Sequence, residues 1–167
     1  MKNPFNSVMR NKPKLNAFNL SKESKLTCQM GDLVPNYIQE IIPGDRFQVN
    51  TELLVRFAPL LAPMMHRVNV FQHYFFVPNR IIWAEWKDFI TGGEDGTDLP
   101  SFPRTALNTT TISDGHLAKG TLADYLGIQP QTTANANEMF SLLPFRAYQL
   151  IYDEYYRDQN LTDPFRS

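Results

Sequence analysis

A mainly β fold with helices inserted between its strands is predicted by three observations. First, Phe47, Val49, Thr51, Leu53, Val55 and Phe57 share one parity, while Arg46, Gln48, Asn50, Glu52 and Arg56 share the other, with Leu54 the one exception. Such period-2 alternation describes a strand with one buried and one polar face, as in an antiparallel sheet with a wet side. Second, Ile42-Pro43-Gly44-Asp45 has Pro at the second and Gly at the third turn position, the chemistry of a type II turn. Third, apolar residues at helical spacing recur between and after the strands, at Ile82, Trp83, Trp86, Phe89 and Ile90 and again from Phe145 to Tyr155.

The elements follow in chain order. Residues 1–31 read as an extended arm, rich in Asn, Ser and Lys, with isolated apolar anchors at Phe5, Val8, Leu15, Phe18 and Leu20. Strands are expected at 33–42 and 46–57, flanking the turn. Pro59 and Pro63 then mark a crossing segment, because proline cannot donate to a ladder. A third strand is expected at about 66–77, followed by a helix at about 80–90 with Asn79 as N-cap and Gly92 just past its end. Residues 92–104 read as a loop, and a weak strand follows near 107–113. A short helix at about 122–126 has Thr121 as N-cap and Asp124 three residues on, close to a capping box. The last helix runs from about 144 to 158, with Pro144 at its first position and Phe145, Tyr148, Tyr152 and Tyr155 along one side. Two regions result: the arm, 1–31, and a body, 32–167. The three or four strands are about half of what a sandwich or jelly roll needs, so the body is either a small α+β domain or the front of something larger.

The chain has 167 residues, room for one domain that would bury about 68–70% of its unfolded surface if compact. Phe 12, Tyr 7 and Trp 2 are an aromatic surplus suited to a large core or to contacts between subunits. Cys28 is the single cysteine, so no internal disulfide is expected. The first ten residues lack the apolar stretch of a signal peptide, and no apolar run reaches the ~18 residues of a membrane span, so no membrane partner is expected. The Asn-x-Ser/Thr triplets at Asn19, Asn108 and Asn160 then carry no glycosylation reading. Net charge is −1 but divided: residues 1–31 carry Lys2, Arg10, Lys12, Lys14, Lys22 and Lys25 against Glu23 alone, and the body is acidic. A basic arm on an acidic body is the pattern of a tail that contacts nucleic acid or an acidic neighbour, but a solvated, partly disordered N-terminus is the favoured reading of it.

No catalytic, cofactor or metal constellation emerges. His66 and His73 lie seven apart on an expected strand and so on opposite faces. Ser113-Asp114-Gly115-His116 holds the letters of a hydrolase triad without its nucleophile elbow. Lys119-Gly120-Thr121 reverses the phosphate-loop order. The loop Gly92-Gly93-Glu94-Asp95-Gly96-Thr97-Asp98 is acidic and Gly-rich but lacks EF-hand spacing. Charges around Trp83 and Trp86 cancel, which favours packing over base stacking.

A run of ordered segments resembles the major capsid protein of the Microviridae, small single-stranded DNA phages, in its gokushovirus-like branch. They include Phe18-Asn19-Leu20-Ser21, Cys28-Gln29-Met30-Gly31-Asp32-Leu33-Val34-Pro35 and Pro43-Gly44-Asp45. Ala58-Pro59-Leu60-Leu61-Ala62-Pro63-Met64-Met65-His66-Arg67-Val68, Phe75-Phe76-Val77-Pro78-Asn79-Arg80-Ile81-Ile82-Trp83 and Trp86-Lys87-Asp88-Phe89-Ile90-Thr91-Gly92-Gly93 follow. Leu143-Pro144-Phe145-Arg146-Ala147-Tyr148 and Tyr155-Tyr156-Arg157-Asp158-Gln159-Asn160-Leu161 complete a collinear set over about residues 15–162.

The resemblance implies a viral jelly-roll β-sandwich with inserted loops and helices, here with about half its strands, and a T=1 icosahedral shell around circular single-stranded DNA. It implies a structural role without enzymatic activity and without cofactors. The expected location is the virion, with the host cytoplasm before assembly. Implied partners are copies of the chain, packaged single-stranded DNA, and a small DNA-binding or scaffolding phage protein. Six residues of the arm are candidate DNA contacts: Lys2, Arg10, Lys12, Lys14, Lys22 and Lys25. Family capsid proteins are much longer, so the chain is expected to be an N-terminal portion. Two alternatives stand beside the shell protein: a truncated prophage relic without assembly activity, and a nucleic-acid-binding module using the arm.

Overall fold

The Trp-rich stretch forms two short helices where one was expected. The computed structural model describes residues 14, 16–106, 118–130 and 139–165. Helix α1, Asn79–Ile82, begins directly after Pro78, so Asn79 is its first residue and Pro78 takes the cap position. At Trp83 the backbone turns extended, with φ −147° and ψ 109°, and α2, Trp86–Thr91, starts afresh. The break lets the Trp83 indole meet Trp86, Phe89 and Phe102, with ring centroids 5.0–5.9 Å away. Trp83 is only 6% exposed. Burying an indole among three rings outweighs the hydrogen bond or two that a continuous helix would add.

Gly92 stops α2 as expected, in the left-handed region at φ 79°, with its N–H donating to Asp88 O at 2.7 Å. Its own carbonyl accepts from Asp98 N at 2.8 Å and closes the 92–98 loop. A Cβ at Gly92 would lie 2.9 Å from the Gly96 backbone, whereas one at Gly96, also at positive φ, would meet nothing within 4 Å. Gly92→Ala is therefore expected to cost about 1–3 kcal/mol, from strain and clash together. Gly96→Ala should cost visibly less; urea unfolding followed by tryptophan fluorescence compares the two.

Strands β1, Arg104–Ala106, and β2, Met139–Ser141, pair antiparallel with Thr105 opposite Phe140. Leu142 N donates to Pro103 O at 3.0 Å and extends the ladder. The strand expected near 107–113 falls outside the described residues; the ladder ends just before it.

Helix α3, Leu122–Tyr125, follows Thr121 as expected, but the Thr121 hydroxyl donates to Ala118 O and does not cap the helix. Asp124 accepts from Gly120 N at 2.8 Å, so the reach-back of a capping box lands one residue early. The helix ends in a Schellman motif: Gly127 N donates to Asp124 O, Ile128 N to Ala123 O, and Gly127 sits at φ 90°. Helix α4, Leu143–Ile151, carries Pro144 in its first turn and continues as a π-helical turn, Tyr152–Tyr156. It packs against α1, whose last carbonyl, Ile82 O, accepts from Arg146 Nη1 at 3.1 Å. Among the described residues Trp83, Ala123 and Leu143 are the buried apolar side chains.

The strands expected at 33–42, 46–57 and 66–77 do not pair: no ladder forms there among the described residues. The turn between the first two does form, with Gly44 at φ 97° and Asp45 N donating to Ile42 O at 3.1 Å. A Pro-Gly turn of this hand splays its flanking strands, whereas two-residue hairpins need the mirror-image types. With no strand at 66–77, the opposite-face argument for His66 and His73 also lapses.

Candidate assembly surface

Residues 36–71 are exposed, and the chain on either side of them is held by one helix and its π-helical continuation. At the first end Tyr148 Oη, on α4, donates to Leu33 O at 2.8 Å. At the second, His73 stacks on Tyr156 at 5.9 Å between ring centroids, and its Nδ1 is hydrogen-bonded to the Tyr156 hydroxyl. Phe75 lies 5.1 Å from Tyr155, and an open cleft of about 470 Å³ is lined by Gln72, His73, Tyr74, Phe75, Tyr155 and Tyr156. Further toward the N-terminus, Tyr125 Oη donates to Thr27 O at 2.6 Å. Tyrosine suits this work because its ring packs on the body while its hydroxyl reaches a carbonyl.

Between those ties the apolar parity is exposed. Phe47, Val49, Leu53, Val55 and Phe57 all face solvent, and Leu54 is 88% exposed. Thr51 and Tyr74 hydroxyls bond each other across this segment. From 46 to 77 no backbone amide donates to a backbone carbonyl among the described residues.

Burial raises the Tyr148 hydroxyl pKa above its ordinary 10.0, with smaller contributions from Tyr152 and Asp32. The neutral phenol is thus favoured in the folded chain and remains a donor to Leu33 O. As pH climbs past 10.0 the unfolded chain loses this proton first, so the stability it contributes is intact below that pH and declines above it, up to the folded-state pKa. In a spectroscopic alkaline titration Tyr148 should ionise late, above its ordinary 10.0. Tyr148→Phe should abolish that late step and cost about 0.5–1.5 kcal/mol.

Of the candidate DNA contacts, Lys14, Lys22 and Lys25 are exposed, while Lys2, Arg10 and Lys12 fall outside the described residues. Lys25 pairs with Glu23 at 3.0 Å, an exposed pair that adds little. Cys28 is exposed. Among the described residues no three His, Cys, Asp or Glu side chains are grouped as a metal site, and no helix is long and apolar enough to cross a membrane. The hydroxyl ties were not legible in the sequence, since they join residues 83 to 115 positions apart; for Tyr148 and Tyr156 the signal was the row of tyrosines on the last helix, and Tyr125 on α3 gave none.

Comparison with known proteins gives this exposed surface a context. The family described as "Capsid protein (F protein)" matches residues 7–166. "Capsid protein VP1" of Chlamydia phage 1 is 37% identical over 166 residues, 98% of this chain and 27% of its own length. "Capsid protein VP1" of Bdellovibrio phage phiMH2K is 37% identical over 144 residues, 86% of this chain and 26% of its own. That of Spiroplasma virus 4 is 30% identical over 133 residues, 80% of this chain and 23% of its own. The chain spans about a quarter of the length of these curated relatives. The resemblance read from the ordered segments is borne out over nearly the whole chain, which belongs to the capsid protein (F protein) family.

Proposed function

We propose that this chain is part of a structural capsid subunit whose exposed segment 36–71 is completed by other polypeptide, with copies of itself as the main partners. The exposed apolar parity carries this reading: Phe47, Val49, Leu53, Val55 and Phe57 are all left in water. A monomeric enzyme or binding module gains nothing from apolar residues left in water over such a length. The reading gives the protein a structural role in a virion and no catalytic one, with the host cytoplasm as its place before assembly. The finer parts of the proposal are a jelly-roll sandwich that takes in residues 32–167, a T=1 shell, circular single-stranded DNA inside it, and a small DNA-binding or scaffolding partner.

Sedimentation velocity on the purified chain tests the proposal. Concentration-dependent, reversible association into species much larger than 19.3 kDa is expected. A monomer at every concentration, with the frictional ratio of a compact globule, would overturn it. The charge of the arm supports the DNA contact. Replacing Arg10, Lys12 and Lys14 by alanine is expected to flatten the salt dependence of single-stranded DNA binding by about 2 in log–log slope. An unchanged slope removes the arm from DNA recognition.

A further inference from the structure

Two sets of contacts meet on the π-helical turn Tyr152–Tyr156. On one side Tyr156 and Tyr155 hold His73 and Phe75, the return end of the exposed segment. On the other, residues 158–165 fold back on the turn. Arg157 Nη1 donates to Thr162 O at 2.6 Å, and Asp153 Oδ1 accepts from Phe165 N at 3.4 Å. The Phe165 ring lies 6.4 Å from that of Tyr152. Within this stretch Thr162 N donates to Asp158 O at 3.0 Å, and Asn160 N to Asp158 Oδ1 at 2.9 Å. Residues 158–165 are themselves exposed, whereas Arg157 and Asp153, 3.8 Å apart, keep only 13% and 15% of their side chains in water. Arg157 Nε is buried with no hydrogen-bond partner among the described residues.

The turn closes through Arg157 N, which donates to Tyr152 O, five residues back, at 2.8 Å. A π turn takes up one residue more than an α turn. Residues at its far end are therefore rotated by up to about 100° from their α positions. Tyr155 and Tyr156 occupy that end, so their aim at Phe75 and His73 depends on the register. A π register is rare beside an α one, so this turn is held by what packs on it. The Asp153–Arg157 bracket supplies a hold that does not involve the exposed segment. Removing one partner of a largely buried pair leaves the other charge uncompensated, and that charge regains water by lifting what covers it.

We infer that residues 158–165 are a strap that fixes the π register, and that lifting the strap releases the return end of segment 36–71 from Tyr155 and Tyr156. A closed strap and a gripped segment form one state. An open strap, an α register and a freed segment form the other. The device goes beyond the capsid reading and does not depend on which polypeptide covers the exposed segment.

The test is NMR on the dilute full chain, with labelled histidine rings and backbone nitrogen. His73 stacks on the Tyr156 ring, so ring current displaces its ring signals from those of a solvated histidine. His73→Gln identifies these signals by their loss. Arg157→Gln is expected to abolish the displacement and to raise the mobility of residues 161–165, read by the heteronuclear NOE. Phe165→Ala, at a side chain 62% exposed, loosens the same strap without touching the ion pair and should reduce the displacement as well. It carries the test if Arg157→Gln unfolds the body, which near-ultraviolet circular dichroism of the Trp83 cluster reports. A His73 signal still displaced once 161–165 have become mobile overturns the inference. So does a strap that stays ordered in both variants, or a His73 signal undisplaced in the unmodified chain.

Discussion

Replacing Trp83 with alanine is expected to abolish the cooperative unfolding transition of the helical body. Three rings converge on this indole, and only Ala123 and Leu143 join it as buried apolar residues among those described. Removing a buried tryptophan costs about 3–5 kcal/mol. Intact domains hold about 5–15 kcal/mol in all, and a body with three buried apolar side chains among its described residues sits at the low end. Near-ultraviolet circular dichroism and urea titration should both show the loss. Trp83→Phe keeps a ring for Phe89 and Phe102 to meet and should retain a transition at lower urea. A sharp, unshifted transition in Trp83→Ala would mean that the aromatic cluster is not the core.

The opposite result is expected from charges on the exposed segment. Val49→Asp with Val55→Asp should leave the folded body untouched and eliminate association. Both valines are exposed in the isolated chain, so the substitutions cost nothing there. In an assembled sheet each would bury an unpaired carboxylate, at about 3–5 kcal/mol apiece, or more than a hundredfold in affinity per site. The same circular dichroism and urea curves should therefore overlay those of the unmodified chain, while sedimentation shows a monomer. Association that survives both substitutions would move the assembly surface away from this segment.

The two experiments separate what the residue pattern carried from what it left open. Local signals were legible wherever the determining contacts are close in sequence. Gly92 ends α2, Thr121 precedes α3, Pro144 opens α4 and Gly44 makes its turn, all within a few residues of the features that predict them. The split at Trp83 was not legible, because helical spacing alone cannot weigh one turn of hydrogen bonds against an indole buried against Phe102. Nor were the ties from Tyr125, Tyr148 and Tyr156, whose partners lie far away along the chain.

The strand pattern of 46–57 is the sharpest case. Its alternation specifies which side chains belong to a buried face, and that information is local. Whether the face is buried depends on a second strand, and the nearest candidate, across the turn after Ile42, does not pair with it. Alternation therefore established the face, its charges and the family resemblance. The folded body settled that no described part of this chain covers that face, because ladder hydrogen bonds need a partner that only long-range packing can supply.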